Sequence, residues 1–301
     1  MEYANLSPIF DSRLVRISRW HCLHDGEVFA EERCHTTHVL TVIRAGTFAL
    51  RHGRRSRLLD PSCAVLHAPG IGYSATHPLG CGDHGWHVGL EKGALRPALP
   101  DGEEELAMPA ETRVIPLPSR AFAALRLALA PERGKGSPEP MAVEEAVLRL
   151  AGAMAAAVPA RRQRPRRVST EELHERCFER AREVLFTRRR EAIHLDELAR
   201  AVHSSPYHLS RLFKRAAGVP IHRYLSRLRL LDGLEEIATR EVALTELAYE
   251  LGFSSHSHFT AAFHREFGMT PSRFRDLATG RSVSRASHAL GEACRVSHLV
   301  G

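Results

Sequence analysis

One pattern occurs twice in this chain and sets the terms for everything else. The stretch LDELARAVHSSPYHLSRLFKRAAG, Leu195 to Gly218, returns as LTELAYELGFSSHSHFTAAFHREFG, Leu244 to Gly268. Leu198-Ala199 recurs at Leu247-Ala248, 49 residues on, whereas Phe213 and Gly218 recur at Phe263 and Gly268, 50 residues on. The change of offset places one extra residue in the turn of the second copy. A repeat on this scale limits the fold to small supersecondary modules packed side by side.

Each copy reads as a short helix, a tight turn and a second helix. Small Ala199 and Ala248 let the two helices cross closely. The turn needs a residue that tolerates a left-handed backbone; the second copy supplies Gly252 and the first His203. Ser205 and Ser255 stand where N-caps belong. Leu209, Leu212 and Phe213 form the buried side of one second helix, and Phe259 and Phe263 that of the other. What remains is polar: Tyr207, Ser210, Arg211 and Lys214 in the first copy, and His256, Ser257, Thr260 and His264 in the second. Short polar helices of this kind fit a DNA major groove, about 12 Å wide. The run from Ile221 to Ile237 reads as a rigid helix that would hold the two readers about one DNA turn, ~34 Å, apart. Arg211 is the best candidate for a bidentate contact to guanine.

Charge refines this picture. The chain carries +7 at pH 7 and has a pI near 9.4, which suits a polyanion. Yet residues 170–279 hold 17 Lys/Arg and 16 Asp/Glu, so a DNA-binding segment must sort its charges by face. Just before it, residues 159–167 contain five arginines in nine positions. That stretch reads equally as a solvated linker or as one that also touches phosphates.

The repeat, with Gly252-Phe-Ser-Ser-His-Ser-His-Phe259, Phe263, Phe267-Gly268-Met269-Thr270-Pro271 and Phe274-Arg275, resembles the signature of AraC/XylS-family bacterial transcription regulators. The resemblance covers roughly 110 residues. It implies a DNA reader with recognition helices in successive major grooves of double-stranded DNA. It also implies a homodimeric activator that works with RNA polymerase and answers a small-molecule effector. By this resemblance, base-reading positions fall on Tyr207, Ser210 and Arg211, and on His256, Ser257 and Ala261. The full DNA-binding set is Ser205, Tyr207, His208, Ser210, Arg211, Lys214, Ser255, His256, Ser257, Thr260 and His264. Family members often carry basic residues where this chain has Ala261 and His264. The second copy is therefore expected to position the protein on phosphates more than to read bases.

Residues 1–118 read as β-rich. Val39 to Ile43, Thr47 to Leu50 and Cys63 to Leu66 are short apolar runs punctuated by Gly46, Gly53, Asp60-Pro61 and Pro69-Gly70, the rhythm of a sandwich or small barrel. By the family resemblance this region is expected to be a cupin-like barrel that senses an effector. Residues 119–158 are predicted to be a helical pair. Ser119 is the expected N-cap of the first helix, with Phe122, Leu125 and Leu129 on one face. In the second helix Val143, Val147, Leu150 and Met154 form a narrow seam that suits dimerisation and packing on the β region about equally. The predicted organisation is thus multidomain: sensing barrel (1–118), helical pair (119–158), basic linker (159–168), all-α DNA-binding domain with two helix-turn-helix units (169–279) and flexible tail (280–301).

Histidine and cysteine cluster in the first region as His21, Cys22 and His24; Cys34, His35 and His38; and His77, Cys81, His84 and His87. These side chains suit zinc or copper. No spacing matches a recognised structural zinc site, so neither a metal nor another cofactor is assigned. A cupin-type oxygenase, with Asp83 or Glu91 beside the histidines, is a weaker alternative because the motif order is missing. A metal or thiol sensor, with Cys34 and Cys81 as reactive candidates, is another. Nucleophile triads, phosphate loops and paired-carboxylate signatures are absent from the sequence, so no enzyme activity is expected. The absence of a signal-like N-terminus and of an apolar run near the ~20 residues of a membrane span leads to the expectation of a cytoplasmic protein with reduced cysteines.

Overall fold

The computed structural model describes residues 5–22, 32–53, 55–91, 112–130, 138–157 and 168–280. The basic linker and the tail beyond Gly280 lie outside the described residues. Nine strands come first: β1 (Asn5–Asp11), β2 (Val15–Cys22), β3 (His38–Ala45), β4 (Phe48–His52), β5 (Arg55–Leu59), β6 (Cys63–His67), β7 (Ser74–Thr76), β8 (Asp83–Leu90) and β9 (Arg113–Pro116). They form a six-stranded sheet in the order β1-β2-β8-β3-β6-β9 and a three-stranded sheet in the order β5-β4-β7.

Neither sheet closes on itself, so the expected cupin-like barrel is wrong. The physical reason lies at Gly46. There the chain leaves β3 in the large sheet and enters β4 in the small one, so β3 and β4 are not ladder partners. Gly46 has φ +81°, and a Cβ on it would lie 2.1 Å from the Gly82 carbonyl oxygen. Only glycine permits that close crossing. The β4–β5 hairpin around Gly53 does form, with His52 opposite Arg55.

Alternation sorts the large sheet into two faces. Trp20 and Cys22 of β2 point toward the small sheet with Ile43, Phe48, Leu59 and Val65. Val15 and Ile17 point the other way, with Trp86, Val88 and Leu90 of β8, and meet helices α1 (Ser119–Ala128) and α2 (Pro140–Ala156). The seam of Val143, Val147, Leu150 and Met154 is fully buried within the chain, which removes it as a surface for pairing with a second copy. Ser119 is not the N-cap of α1. Pro118 holds that position, and the Ser119 hydroxyl instead donates to Glu266 at 2.5 Å.

The remaining helices are α3 (Val168–Thr187), α4 (Leu195–Ala201), α5 (Pro206–Ala217), α6 (Ile221–Thr239), α7 (Leu244–Glu250), α8 (His256–Phe267) and α9 (Pro271–Ala278). The connecting helix α6 has 19 residues, about 28 Å of rise. Its two ends serve different cores. Tyr224, Leu225 and Leu228 pack with α3, α4 and α5. Leu230, Leu231, Leu234 and Ile237 pack with α7, α8 and α9, in a core continuous with α1, α2 and the large sheet.

Candidate DNA interface

Each sequence repeat folds as helix, turn and helix: α4 and α5 form the first unit, α7 and α8 the second. The left-handed turn residues are those anticipated. His203 has φ +52°, the only positive φ outside glycine among the described residues, and Gly252 has φ +81°. A Cβ on Gly252 would sit 2.7 Å from the Arg190 carbonyl oxygen and 3.0 Å from the Arg229 guanidinium. Arg229 donates to the carbonyls of Arg189, Glu191 and Gly252 at 2.6–2.7 Å, stapling the second turn to the segment after α3.

Both second helices are capped by the expected serines. The Ser205 hydroxyl accepts from the His208 N–H at 3.2 Å, and that of Ser255 from the His258 N–H at 3.1 Å. Each is 12 residues long and ends at a left-handed glycine, Gly218 or Gly268. Leu209, Leu212 and Phe213 are buried on α5; Phe259, Ala262, Phe263 and Phe267 are buried on α8.

The outward faces differ. On α5, Tyr207 is 72% exposed, a large aromatic ring left in solvent. Arg211, one turn later, donates to the Tyr207 hydroxyl at 3.3 Å, with its guanidinium 5.6 Å from the ring centroid. His208 and Lys214 are exposed, and Ser210 is half-buried. On α8, Ser257, Ala261 and His264 are exposed, while His256 and Thr260 are half-buried and meet at 3.5 Å.

Two cations escaped the sequence reading. Arg265 is exposed four residues after Ala261, and Arg215 is exposed on the last turn of α5. The signal was one helical turn of spacing from residues already singled out.

The sorting of charge that a near-neutral segment requires is visible in the ion pairs. Helix α5 carries Arg211, Lys214 and Arg215 and no carboxylate. The sole carboxylate of α8, Glu266, is held by Ser119 and by Arg227 at 3.2 Å. Others are engaged on and around α6: Asp232 with Arg189 at 2.7 Å, Glu236 with Arg190 and Arg240, and Glu235 with Arg44 and Arg126. Burial opposes the charge on Glu235, yet the Arg44 and Arg126 guanidiniums hold its carboxyl below the usual range. These acids are spent on structure, and α5 and α8 present cationic or neutral outward faces.

The β-rich region regroups its histidines and cysteines rather than keeping the sequence clusters. His35 lies edge-on to His67 and His87, and stacks on Tyr73, whose hydroxyl meets His35 Nε2 at 2.9 Å. Burial drives His87 down to about 3 and His67 well below its usual value, so both are neutral. His21 faces His84. Cys22 joins His77 and Asp83. His24 lies outside the described residues. Burial raises the Cys81 thiol and lifts Cys63 to about 12, which makes both poor thiolates.

Comparison with known proteins bears on the helical part. A family model described as a helix-turn-helix domain matches residues 198–277. The probable transcription factor PqrA of Proteus vulgaris is 33% identical over 91 residues, 30% of this chain and 75% of PqrA. The transcriptional activator RhaS of Shigella boydii is 41% identical over 73 residues, 24% of this chain. The chain thus spans only a quarter of RhaS, 25% of its length. Among solved structures, an AraC-type regulator from Chromobacterium violaceum is similar at 22% identity and a TM-score of 0.34, over 38% of this chain and all of that one. ToxT from Vibrio cholerae aligns with 90% of this chain and 98% of its own, at 10% identity and a TM-score of 0.38. Both scores are too low to carry an argument about the β-rich region.

Proposed function

This chain belongs to the AraC/XylS-related helix-turn-helix transcription factors, and from that premise we propose that it is a sequence-specific regulator that reads double-stranded DNA with α5 and α8. The observation that carries this reading is the pair of serine-capped, 12-residue helices with buried apolar backs and no uncommitted carboxylate on their outward faces. Tyr207, Ser210, Arg211 and Lys214 read and grip from the first unit, with Ser205 and His208 at its entry. Ser255, His256, Ser257, Thr260 and His264 position the second unit.

The reading extends to an activator that contacts RNA polymerase and takes a small-molecule effector in the β-rich region. The His35, His67, His87 and Tyr73 group, with His67 buried and the other three half-buried, is the polar feature there that suits such a ligand. Homodimerisation draws no support from the Val143–Met154 seam, which the chain itself covers. A cytoplasmic setting is in keeping with the reading; no helix among the described residues is long and apolar enough to cross a membrane. The raised Cys81 thiol weighs against a thiol trigger.

Chromatin immunoprecipitation of the tagged full chain tests the proposal. Discrete peaks upstream of transcription starts, with transcripts of the adjacent genes falling on deletion, are expected. Enrichment no greater than that of an untagged control would sink it.

A further inference from the structure

Cys22, His77 and Asp83 come from the end of β2, the loop after β7 and the start of β8. They are 4%, 6% and 3% exposed. The β2–β8 register sets Cys22 directly opposite Asp83. A thiol sulfur, an imidazole nitrogen and a carboxylate oxygen from the three all lie within 4.8 Å of one another. His77 Nε2 is 2.6 Å from Asp83 Oδ1. The other carboxylate oxygen, Oδ2, accepts from Trp20 Nε1 at 2.8 Å. The plain alternative is a buried His–Asp hydrogen bond beside a buried thiol.

We propose that Cys22, His77 and Asp83 form a site for a thiophilic divalent transition ion of the zinc type, with a fourth position open to water or a small ligand. The donor set is the sulfur, nitrogen and oxygen mixture that such ions take. Trp20 supplies what a ligating carboxylate usually has, an outer hydrogen bond that fixes its orientation. Bonds of about 2.0–2.1 Å to nitrogen and oxygen in a tetrahedron put those atoms roughly 3.3–3.4 Å apart, so the 2.6 Å His77–Asp83 contact opens by about 0.7–0.8 Å on binding. Binding is as the thiolate and the neutral imidazole, with the Cys22 proton and any proton on the coordinating nitrogen released to solvent.

The site lies at the root of a loop that reaches the first helix-turn-helix unit. Between His77 and Asp83, Leu79 and Cys81 pack against the core formed by Ala181, Leu185, Leu198 and Phe213. An ion would pin both ends of that loop and so bear on the placement of α5. This second step rests on the DNA-regulator reading; the site does not.

The test is titration of chelator-stripped, untagged full chain with cobalt(II), followed by zinc(II) displacement. One equivalent should bind with a thiolate-to-cobalt charge-transfer band and tetrahedral d–d bands that zinc bleaches. Cys22→Ser should abolish the charge-transfer band and weaken binding at least tenfold, whereas Cys81→Ser should leave both unchanged. Should Cys22→Ser fail to fold, Asp83→Asn, which keeps an acceptor for Trp20, decides the matter by the same tenfold loss. No band in the native chain, a band that survives Cys22→Ser, or unchanged binding by Asp83→Asn overturns the site. DNA binding is measured separately by gel shift. Cobalt binding without DNA binding refutes the regulator reading alone, and DNA binding without cobalt binding refutes the site alone.

Discussion

The two helix-turn-helix units share a backbone plan and differ in what they are anchored to. The second unit is built into the main hydrophobic core. Phe259, Phe263 and Phe274 are continuous with α1, α2 and the outer face of the large sheet. The first unit has a core of its own around Leu209, Phe213 and Leu228. Its tie to the β-rich region includes a buried polar knot. Arg182 donates to Asp60 at 2.7 Å and to the Leu58 carbonyl at 2.6 Å, and the Tyr224 hydroxyl donates to the same Asp60 carboxylate at 2.5 Å. Apolar contact is non-directional and tolerates sliding, whereas a buried hydrogen-bonded ion pair works in one geometry. Both units thus combine apolar packing with polar ties, Arg182 with Asp60 for the first and Arg44 with Glu235 and Ser119 with Glu266 for the second, and the first unit's tie is the more deeply buried.

Breaking that knot is expected to have the largest effect. Arg182→Leu leaves Asp60 buried without its cation and should cost about 3–5 kcal/mol in urea unfolding, since the surviving charge is uncompensated. A loss below about 1 kcal/mol would mean that the two regions are not joined there. Next comes the turn. Gly252→Val forces a β-branched residue into φ +81° against the Arg190 carbonyl and should cost about 2–3 kcal/mol. His203→Gly in the first unit should instead change stability by less than about 1 kcal/mol, because the left-handed penalty it removes is offset by backbone entropy. Equal losses at the two turns would erase that distinction. Ser205→Ala and Ser255→Ala should each cost about 1 kcal/mol by thermal unfolding, the usual worth of a cap.

The pH response has two parts: His67 and His87, kept neutral by burial, make stability fall as pH drops below about 6.5, and Asp60 adds to the fall at lower pH. Burial opposes the charge on Asp60, but Arg182, Ser62 and Tyr224 win and hold its carboxyl below the ordinary 3.8. A depressed carboxylate contributes stability that is complete above the unfolded value and drains as pH falls through and below it. The fall between pH 6 and about 5 should therefore be alike in the native chain and Asp60→Asn, and near and below pH 4 the native chain should lose stability more steeply than Asp60→Asn. Identical slopes in the two proteins over that lower range would remove Asp60 from the account.

Local rules made the helical half legible. The left-handed turns at His203 and Gly252, the Ser205 and Ser255 caps and the buried Phe213 and Phe263 all follow from spacing within one or two helical turns, and the structure has each of them, whereas the cap expected at Ser119 falls on Pro118. The β-rich half turned on non-local facts. Whether β3 pairs with β4 or hands it to another sheet depends on how Gly46 meets Gly82, residues far apart in the sequence. The Cys22, His77 and Asp83 grouping was hidden for the same reason, since strand register, not sequence proximity, opposes Cys22 to Asp83. Asp60 and Arg182 lie 122 residues apart, and nothing in either neighbourhood marks them as partners. On α8, Arg265 was overlooked because it falls just beyond the positions that the family resemblance pointed to.

We propose a division of labour between the units, in which the first reads sequence and the second grips the backbone. In-vitro selection from random duplex DNA, run on the native chain, Arg211→Ala and Arg265→Ala at several salt concentrations, tests it most directly. The native chain should enrich a site with two boxes about one helical turn apart. Arg211→Ala should lose about 1–3 kcal/mol of discrimination at one base pair of one box. Arg265→Ala should keep the whole site, bind all sequences more weakly and show a salt slope smaller by about 1. Lost discrimination in Arg265→Ala together with unchanged discrimination in Arg211→Ala would reverse the roles and contradict the account.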